Sequence, residues 1–568
     1  FDVGLLLLII LYPYIKSRAP ESDLSEWAEL TGDDSWSYDN MLPYFHRLEN
    51  VTRDEGAQPN PDRGYEGIIP VRHRNISIIH YHTGLLKAIE QDLGVPVQDD
   101  QDSNRRDQNS VGSLQESRVA NGCWYDDDGT ELGCADNLRN GSSYNAFIRN
   151  PQRAGELSNL HILEGAKVVQ IKDVTPDNTD GPMEVQYMLK SYRYLIKARH
   201  EILLSAGSWA NPHIALLSGI GNAAELEEVG ITPQISLPGV GRRLMDHGVL
   251  WMTAMLSNIQ SADISNMDAE LGFDPSTFVG VNNPLPALMA GPNTINLFFK
   301  SNSTLEHPDM ELISGVNPAG PSSALMLLRL YQNRGSSGKT GGTLKLRSND
   351  PSEGEPSYLF DNIATNQFQF IINHYFTSNE EMDTSRNWYA DDESIAPMLD
   401  ALKTVLSMVQ SSLDPAIQPM ILQPNAFTVD YNDDEALKSY IRSDVVSEMH
   451  LQGTMKMGTD QDPMAVVDNE LKLIGSNGRV RVADTSIFPS ELRGHPMAAA
   501  MAVGMKAAEM MANDASVSSD TAEMNEGEVG NGDGTDTEAK EDTSGGCSLV
   551  VATTAAATTC AFAATLGV

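Results

Sequence analysis

The sequence has 568 residues, of which 40% are hydrophobic and 21% charged, and this balance indicates a soluble globular protein with a large core and two intertwined domains. Its formal net charge of −39 argues against nucleic-acid binding, because that function requires lysine and arginine to neutralise phosphates. Its four cysteines indicate neither a disulfide framework nor a zinc site.

The chain begins with Phe1 rather than methionine, and an apolar run follows it. That run, residues 3–11, is too short to span a bilayer. It also lacks the basic flank and the small-residue cleavage site of a signal peptide. We expect a buried strand there, or a chain whose upstream portion is missing.

Hydrophobic periodicity predicts helices and strands along the chain. Aromatic and leucine residues recur at helical spacing around residues 38–45, whereas residues 53–62 have the polar, proline-containing composition of a loop. An amphipathic helix is predicted over residues 78–94 and ends at Gly94. Strands are predicted at residues 159–174, 181–189, 199–207 and 340–351.

A glycine-containing run at residues 219–224 matches the loose dinucleotide-binding pattern Gly-x-Gly-x-x-Gly/Ala. That pattern binds a pyrophosphate only when a strand leads directly into the glycines and a helix follows them. Here residues 212–217 have the pattern of helical turns, and the predicted strand lies further back. We therefore expect these glycines to end a helix rather than to form a phosphate-binding loop.

The composition changes after Met511. Residues 513–546 carry ten acidic residues against one lysine, so we predict that this segment is disordered and dispensable for folding. Residues 547–568 have no charged side chain, and their length suits a weak membrane tail or a cleaved lipid-anchor signal. Their many threonines and alanines make them poorly hydrophobic, so a secreted or membrane-associated location stays open.

The residues best suited to chemistry lie between positions 448 and 511. A predicted strand brings Asp484 to its carboxyl end, where ligands bind in open α/β sheets. Pro496 suits the first position of the long helix that follows, so free N–H groups and the positive end of the helix dipole lie near the ligand. His495 directly precedes that helix, and His450 lies in an earlier turn; taken alone, either histidine is more often structural than catalytic.

The spacing of this block resembles the carboxy-terminal part of the glucose–methanol–choline (GMC) oxidoreductases, which are FAD-dependent alcohol oxidases and dehydrogenases. The matching positions are, in chain order, His450/Gly453/Thr454, Met457-Gly458, Val466-Val467-Asp468, Val482/Asp484/Ser486 and His495-Pro496.

An earlier segment, residues 205–221, is similar to the second signature of the same family, in which a strand and a glycine turn precede a helix that ends in Ser-Gly-Ile-Gly. One departure is Asn211, which stands where the family prefers serine or threonine before proline. The segment that follows also resembles the family, and we expect its Asp246 and His247 to be packing residues. The resemblance extends from about residue 22 to residue 511.

The front of the family pattern is absent from this sequence. Family members begin with a strand, a Gly-x-Gly-x-x-Gly turn and a later acidic residue that holds the ADP half of FAD, and a signature rich in glycine and serine follows. This sequence starts roughly where that signature would end. We expect a fragment or a faulty gene model rather than a degenerate relative, and weak or no FAD binding by the chain as it stands.

The resemblance implies an α/β fold, with a discontinuous FAD-binding α/β domain of GMC type and a substrate domain in which helices cap an antiparallel sheet. The expected divisions are the first part of the FAD domain without its ADP-binding front at residues 1–250, the substrate-binding domain at residues 251–440, the carboxy-terminal FAD-binding and catalytic segment at residues 441–512, and the acidic disordered tail with its apolar end at residues 513–568.

By the same resemblance, the reaction removes a proton from the hydroxyl group of a small-molecule alcohol and passes a hydride from its carbon to FAD. An imidazole suits the first step because its unperturbed pKa of about 6.5 lies near neutrality. The family pattern implies His450 as the base, with His495 orienting the alkoxide or sharing the proton. The implied FAD contacts are Asp484 and Thr485 at the ribityl or phosphate region, main-chain N–H groups near Pro496 and Met497 at the flavin, and the backbone of Val168 at the adenine.

Two alternatives stay open at this point. A truncated, catalytically inactive homologue is favoured by the missing front. A different flavin chemistry on the same fold, such as fatty-acid decarboxylation, is disfavoured because His450 and His495 are both retained. The sequence leaves open which alcohol is oxidised, which acceptor reoxidises FAD, and the oligomeric state.

Overall fold

The computed structural model describes most of the region that resembles the family. The described residues are 18–51, 60–73, 89, 93–95, 97–98, 110–113, 115–116, 122–125, 131–135, 145–149, 160–175, 177–178, 181–189, 192–258, 293–320, 323–334, 341–346, 348–349, 382–385, 389, 391–411, 418–424, 429–448, 450–526 and 548–550. The predicted apolar strand at residues 3–11 and nearly all of the predicted helix at residues 78–94 lie outside them.

The α-helices within these ranges follow the predicted apolar periodicity where it was strongest. In the helix that begins at Tyr38, the buried residues Tyr38, Met41, Phe45 and Leu48 share one face, which confirms the prediction for this segment. The helices are α1 (Glu21–Thr31), α2 (Tyr38–Leu48), α3 (Gly207–Leu217), α4 (Ala223–Glu228), α5 (Asp392–Ser411), α6 (Asp434–Asp444) and α7 (Met497–Glu526). Single turns of other helix types lie at Asp34–Trp36, Asn145–Arg149 and Thr485–Ile487.

The strands of the described ranges are, in chain order, β1 (Glu49–Val51), β2 (Ile69–His73), β3 (Val97–Gln98), β4 (Ser110–Ser113), β5 (Gln115–Glu116), β6 (Gly122–Tyr125), β7 (Glu131–Ala135), β8 (Leu160–Ile162), β9 (Ala166–Lys172), β10 (Met183–Leu189), β11 (Tyr192–Ala198), β12 (Ile202–Leu204), β13 (Ile220–Gly221), β14 (Ile235–Ser236), β15 (Arg242–Leu244), β16 (Gly248–Ser257), β17 (Asn293–Phe299), β18 (Met310–Gly320), β19 (Ser323–Gln332), β20 (Gly342–Leu346), β21 (Met382–Ser385), β22 (Gln418–Gln423), β23 (Val446–Ser447), β24 (Val480–Val482) and β25 (Ser548–Val550).

The largest sheet has the order β22-β16-β19-β18-β17-β4-β3, with β23 paired to β16. Its long strands are antiparallel and alternate in burial, because successive side chains point to opposite faces. On one face, apolar residues such as Met252, Leu312 and Leu328 form a core with Ile395 and Leu402 of α5. This is the helix-capped antiparallel sheet that the family resemblance implies.

The second apolar core lies in the remaining α/β part of the chain. It contains residues of α1, α2, α3 and α7 together with Val480 and Val482 of β24. Strand β24 pairs in parallel with β12, and an antiparallel meander of β9, β10 and β11 lies beside α3. Neither core is confined to one of the expected segments: the core of the large sheet contains Ile89, Val95, Ile441 and Val445, and the second core contains Leu344. The expected domain division stays a prediction.

The glycine run at residues 219–224 follows a helix, as expected from the sequence. Helix α3 ends at Leu217, and Gly219 then adopts a φ of +78°, which a glycine tolerates best. A side chain at Gly219 would also meet the carbonyl oxygen of Thr232 at 2.6 Å. The run therefore turns the chain out of a helix.

The carboxy-terminal segment differs from its prediction, because α7 continues past Asn513 to Glu526. Extending an existing helix avoids the cost of nucleating a new one. Asp514 also lies 3.0 Å from Nζ of Lys472 and forms an ion pair with Arg481. The prediction of disorder from Asn513 is thus wrong for the residues up to Glu526, whereas residues 527–547 and 551–568 lie outside the described part of the chain. No helix within the described ranges has the length and apolarity needed to cross a bilayer.

Candidate active site

Two loops bring the predicted catalytic histidines together. His450 lies in the loop that follows α6 and β23, and His495 directly precedes the start of α7. The carboxylate of Asp246 fixes the first loop: Oδ1 accepts the backbone N–H of His450 at 2.9 Å, and Oδ2 accepts the hydroxyl of Ser447. The side chain predicted to be mere packing therefore holds the backbone of the predicted base.

Three imidazoles form a continuous series, which we call the histidine row: His247, His450 and His495. Nδ1 of His247 lies 3.0 Å from Nδ1 of His450, and Nε2 of His450 lies 3.1 Å from Nδ1 of His495. Their rings meet edge to face, with interplanar angles of 86° and 80°. The structure thus joins the two predicted histidines and adds a third, His247.

The protonation pattern of the row follows from its first member. Nε2 of His247 lies 2.9 Å from the carbonyl oxygen of Leu492, so this nitrogen carries a proton and donates it. A neutral His247 then has a lone pair on Nδ1, which accepts Nδ1–H of His450. Nε2 of His450 is consequently left unprotonated, as a general base requires.

The amide of Gln452 lies near the same nitrogen of His247 but farther away than the carbonyl oxygen of Leu492, at 3.3 Å against 2.9 Å. Oε1 of Gln452 accepts the backbone N–H of Leu492 at 2.9 Å, which orients the amide so that its NH₂ group faces His247. Because Nε2–H of His247 and this NH₂ group are both donors, the 3.3 Å approach between them is a contact rather than the primary bond.

The other end of the row reaches a buried carboxylate. Nε2 of His495 lies 3.4 Å from Oε1 of Glu311, whose side chain is fully buried. The other oxygen of Glu311 accepts the side-chain amide of Asn333 at 2.9 Å. Glu311 comes from β18 of the large sheet, so the row bridges the two cores of the molecule.

Burial controls the charge of His450. Burial lowers the pKa of His450 well below 6.5, and His495, His247 and Arg329 lower it further. His450 is therefore neutral in the folded protein near pH 7. Nearby, burial raises the pKa of Glu448, while Arg329 and His495 act in the opposite direction.

The face of the large sheet opposite α5 supplies one wall beside the row. The strand register aligns Val249, Tyr331 and Glu311 in one cross-strand line, and Trp251, Arg329 and Ile313 in the next. The ring of Tyr331 lies 5.5 Å from the ring of His495, and its hydroxyl lies 3.1 Å from Oε1 of Glu448. This wall combines aromatic surface with buried charge.

The expected cofactor side chain Asp484 is occupied by protein donors. Its Oδ2 accepts the backbone N–H of Gly207 at 2.7 Å and the amide of Asn211 at 2.8 Å, and its Oδ1 accepts the backbone N–H of Ser486 at 2.8 Å. The carboxylate thus caps the amino terminus of α3. Thr485 lies beside it, with its carbonyl oxygen 3.0 Å from the backbone N of Gly453 and its hydroxyl 3.0 Å from that of Ser208.

The remaining predicted cofactor residues lie at two separate places. Pro496 and Met497 open α7 directly after His495, and the first turn of α7 contains no acidic residue. The first N–H groups of a helix have no partner within it, so this end can receive negative charge. Val168 lies on β9, the outer strand of its meander among the described strands.

Comparisons with known proteins bear directly on this arrangement. Sequence models of the amino- and carboxy-terminal parts of GMC oxidoreductases match residues 14–249 and 377–504. A glucose dehydrogenase [FAD, quinone] of Drosophila melanogaster is 28% identical over 518 residues, covering 87% of this chain and 71% of the relative. An oxygen-dependent choline dehydrogenase of Brucella canis is 27% identical over 515 residues, covering 87% and 78%.

Solved structures share the fold at low identity. A formate oxidase of Aspergillus oryzae superposes with a TM-score of 0.64 at 17% identity, covering 89% of this chain and 82% of that one. A fungal aryl-alcohol oxidase gives a TM-score of 0.60 at 18% identity, covering 87% and 83%.

Proposed function

Because this chain belongs to the GMC oxidoreductase family, we propose that it oxidises the CH–OH group of a small-molecule alcohol, with FAD as its cofactor and His450 as the base. The observation that carries the proposal is the direction of the hydrogen bonds in the histidine row. They leave a lone pair on Nε2 of His450, next to an N–H donor on His495. A base and a hydrogen-bond donor side by side are what an alcohol hydroxyl needs on its way to an alkoxide.

Among the described residues, the start of α7 and the edge of β9 suit FAD, whereas the side chain of Asp484 does not. The open end of α7 lies beside His495 and suits a flavin that gains negative charge. The outer edge of β9 offers the backbone of Val168 to an adenine. The carboxylate of Asp484 is already filled by Gly207, Asn211 and Ser486, so we assign the cofactor contacts of Asp484 and Thr485 to their main chain. When bound, FAD supplies the acceptor for the hydride of the alcohol carbon.

The proton transfer follows from the geometry of the row. An alcohol hydroxyl that donates to Nε2 of His450 replaces Nδ1–H of His495 at that lone pair, and this N–H then donates to the alcohol oxygen. The proton moves to Nε2, and His495 holds the alkoxide that remains. Since burial disfavours the charged form of His450, the resting base is neutral and ready to accept the proton.

Flavin reduction by alcohols tests the proposal. The chain is purified, mixed anaerobically with excess FAD, and then offered choline, glucose and an aryl alcohol, the classes named by its relatives. We expect loss of the oxidised-flavin absorbance and formation of the carbonyl product with at least one alcohol. No reduction by any alcohol would support an inactive homologue, and release of carbon dioxide from a fatty acid would support the alternative flavin chemistry.

A further inference from the structure

Arg493 lies two residues before His495 and is held by one buried carboxylate. Asp23 of α1 is fully buried, and its Oδ2 accepts the backbone N–H of Arg493 at 2.6 Å. Its Oδ1 lies 3.0 Å from Nε of the same residue. A single carboxylate thus fixes both the backbone and the side chain of Arg493, and with them the segment that carries His495.

A second arginine connects this carboxylate to the large sheet. Arg334 follows the end of β19, and its Nη1 lies 3.8 Å from Oδ1 of Asp23. Its Nη2 donates to both oxygens of Glu26, at 2.8 and 2.9 Å. Ser490, in the loop that leads to His495, donates to Glu26 at 3.0 Å. Charged contacts therefore join α1, the sheet and the loop.

Two series of contacts lead from the end of β19 to His495. Asn333, the residue before Arg334, donates to Glu311, and Glu311 faces Nε2 of His495. One route from the end of β19 thus reaches the imidazole through Glu311, and the other reaches its backbone through Arg334, Asp23 and Arg493. The two routes together set the distance between the imidazole and the sheet.

We propose that Asp23 is a positioning residue for the alcohol oxidation assigned above, and that it acts through Arg493 to hold His495 against His450 and Glu311. The proposal rests on that assigned function for its catalytic consequence only. Gly494, between Arg493 and His495, has a φ of +120°, a conformation that glycine adopts far more readily than other residues. Because glycine restricts the backbone less than other residues, the carboxylate that holds Arg493 constrains the backbone at His495.

Hydrogen–deuterium exchange at the imidazole C2 position tests the proposal without requiring activity. The full chain carrying Asp23→Asn, which keeps the size of the side chain but removes its charge, is compared with the wild type by mass spectrometry of the peptide containing His495. We expect faster exchange at His495 and faster amide exchange over residues 489–496. Exchange at His495 equal to that of the wild type would overturn the proposal.

Glu49→Gln is the matched control. Glu49 is as buried as Asp23 and pairs with two arginines that lie outside the loop carrying His495, Arg18 at 3.4 Å and Arg63 at 3.0 Å. We expect this variant to lose stability without changing exchange at His495. Equal changes in both variants would show a general loss of stability and would overturn the positioning role.

Arg334→Lys covers the case in which Asp23→Asn does not fold. It keeps the positive charge but loses the paired bonds to Glu26, so exchange at His495 should rise above that of the wild type. No rise would count against the proposal. With FAD and an accepted alcohol, Asp23→Asn should lower kcat by about 10-fold to 100-fold, since a displacement of about 1 Å has effects of that size. Changed exchange in a chain that oxidises no alcohol would refute the proposed function and leave the positioning role standing.

Discussion

The Nδ1 atoms of His247 and His450 face each other at 3.0 Å, so one of them carries a proton and the other does not. The carbonyl oxygen of Leu492 decides which, because it accepts a hydrogen bond from Nε2–H of His247 and so leaves Nδ1 of His247 unprotonated in the neutral ring. A contact to a main-chain carbonyl thus fixes the tautomer of the proposed base through an intervening ring. This relationship makes His247 part of the site.

We expect His247→Phe to slow flavin reduction by about 10-fold or more. Without the acceptor on His247, the proton of His450 is no longer held on Nδ1, and Nε2 is no longer kept unprotonated. His247→Asn, which returns an acceptor near the same place, should recover part of the rate. Anaerobic stopped-flow with excess FAD measures both variants, and His307→Gln, outside the row, is the control. Equal rates for His247→Phe and the wild type would remove His247 from the mechanism.

The lowered pKa of His450 predicts a pH-dependent contribution to stability. The unfolded chain takes up a proton at this residue as the pH falls through about 6.5, whereas the folded protein does not until a lower pH. The contribution of His450 to the free energy of unfolding should therefore decrease as the pH falls below about 6.5. Denaturant unfolding of the wild type and His450→Gln gives this contribution by difference, and a difference that is independent of pH would contradict it.

The departure at Asn211 has a structural role. Its amide donates to Asp484 at 2.8 Å and to the hydroxyl of Ser486 at 2.9 Å, while its oxygen accepts the backbone N–H of Ala206 at 2.9 Å. Asn211→Ala leaves buried polar groups without these partners, and we expect a loss of about 1–3 kcal/mol in the free energy of unfolding. Denaturant unfolding checks this value, with the exposed Asn302→Ala as control; an unchanged midpoint would show that the bonds are replaced.

The end of α7 provides a prediction about the acidic segment. Asp514 pairs with Arg481, which is almost fully buried, and with Lys472 at 3.0 Å. Asp514 is half exposed, and Arg481 keeps its ion pair with Glu201 when Asp514 is removed. We therefore expect Asp514→Ala to lower the free energy of unfolding by about 1 kcal/mol. Thermal unfolding measures the effect, and Glu509→Ala, which removes an exposed pair with Arg47, should cost less. Equal melting temperatures for Asp514→Ala and the wild type would show that α7 is not anchored there.

Sequence patterns predicted those features of the molecule that are determined by residues close together in the chain. The apolar periodicity at residues 38–45 gave the face of α2, and the motif spacing identified His450 and His495 as a pair. Glu311 was not predicted, because no motif surrounds it and its strand also contains the polar residues Ser314 and Asn317. The contact between His247 and His450 was not predicted for a similar reason: the two residues lie 203 positions apart in the chain.

Motif spacing alone does not reveal which protein groups contact a predicted site residue. Asp484 lies two residues beyond the end of β24, close to its expected position, and its carboxylate accepts a hydrogen bond from the first N–H of α3. The sequence places an acidic residue near the carboxyl end of a strand. It does not show that the backbone N–H of Gly207 and the amide of Asn211 donate hydrogen bonds to that residue. Which donors lie next to the carboxylate of Asp484 is determined by the tertiary structure.

The most direct test of the account is the reductive half-reaction of His450→Ala, followed by anaerobic stopped-flow with excess FAD and an alcohol that the wild type oxidises. A positioned base contributes about 10²–10⁴-fold, so we predict that flavin reduction slows by that factor while the FAD concentration that half-saturates the rate stays that of the wild type. Raising the pH should partly restore the rate, because hydroxide or a preformed alkoxide replaces the imidazole. Near-normal reduction by His450→Ala, or loss of FAD together with stability, would contradict the assignment of His450 as the base.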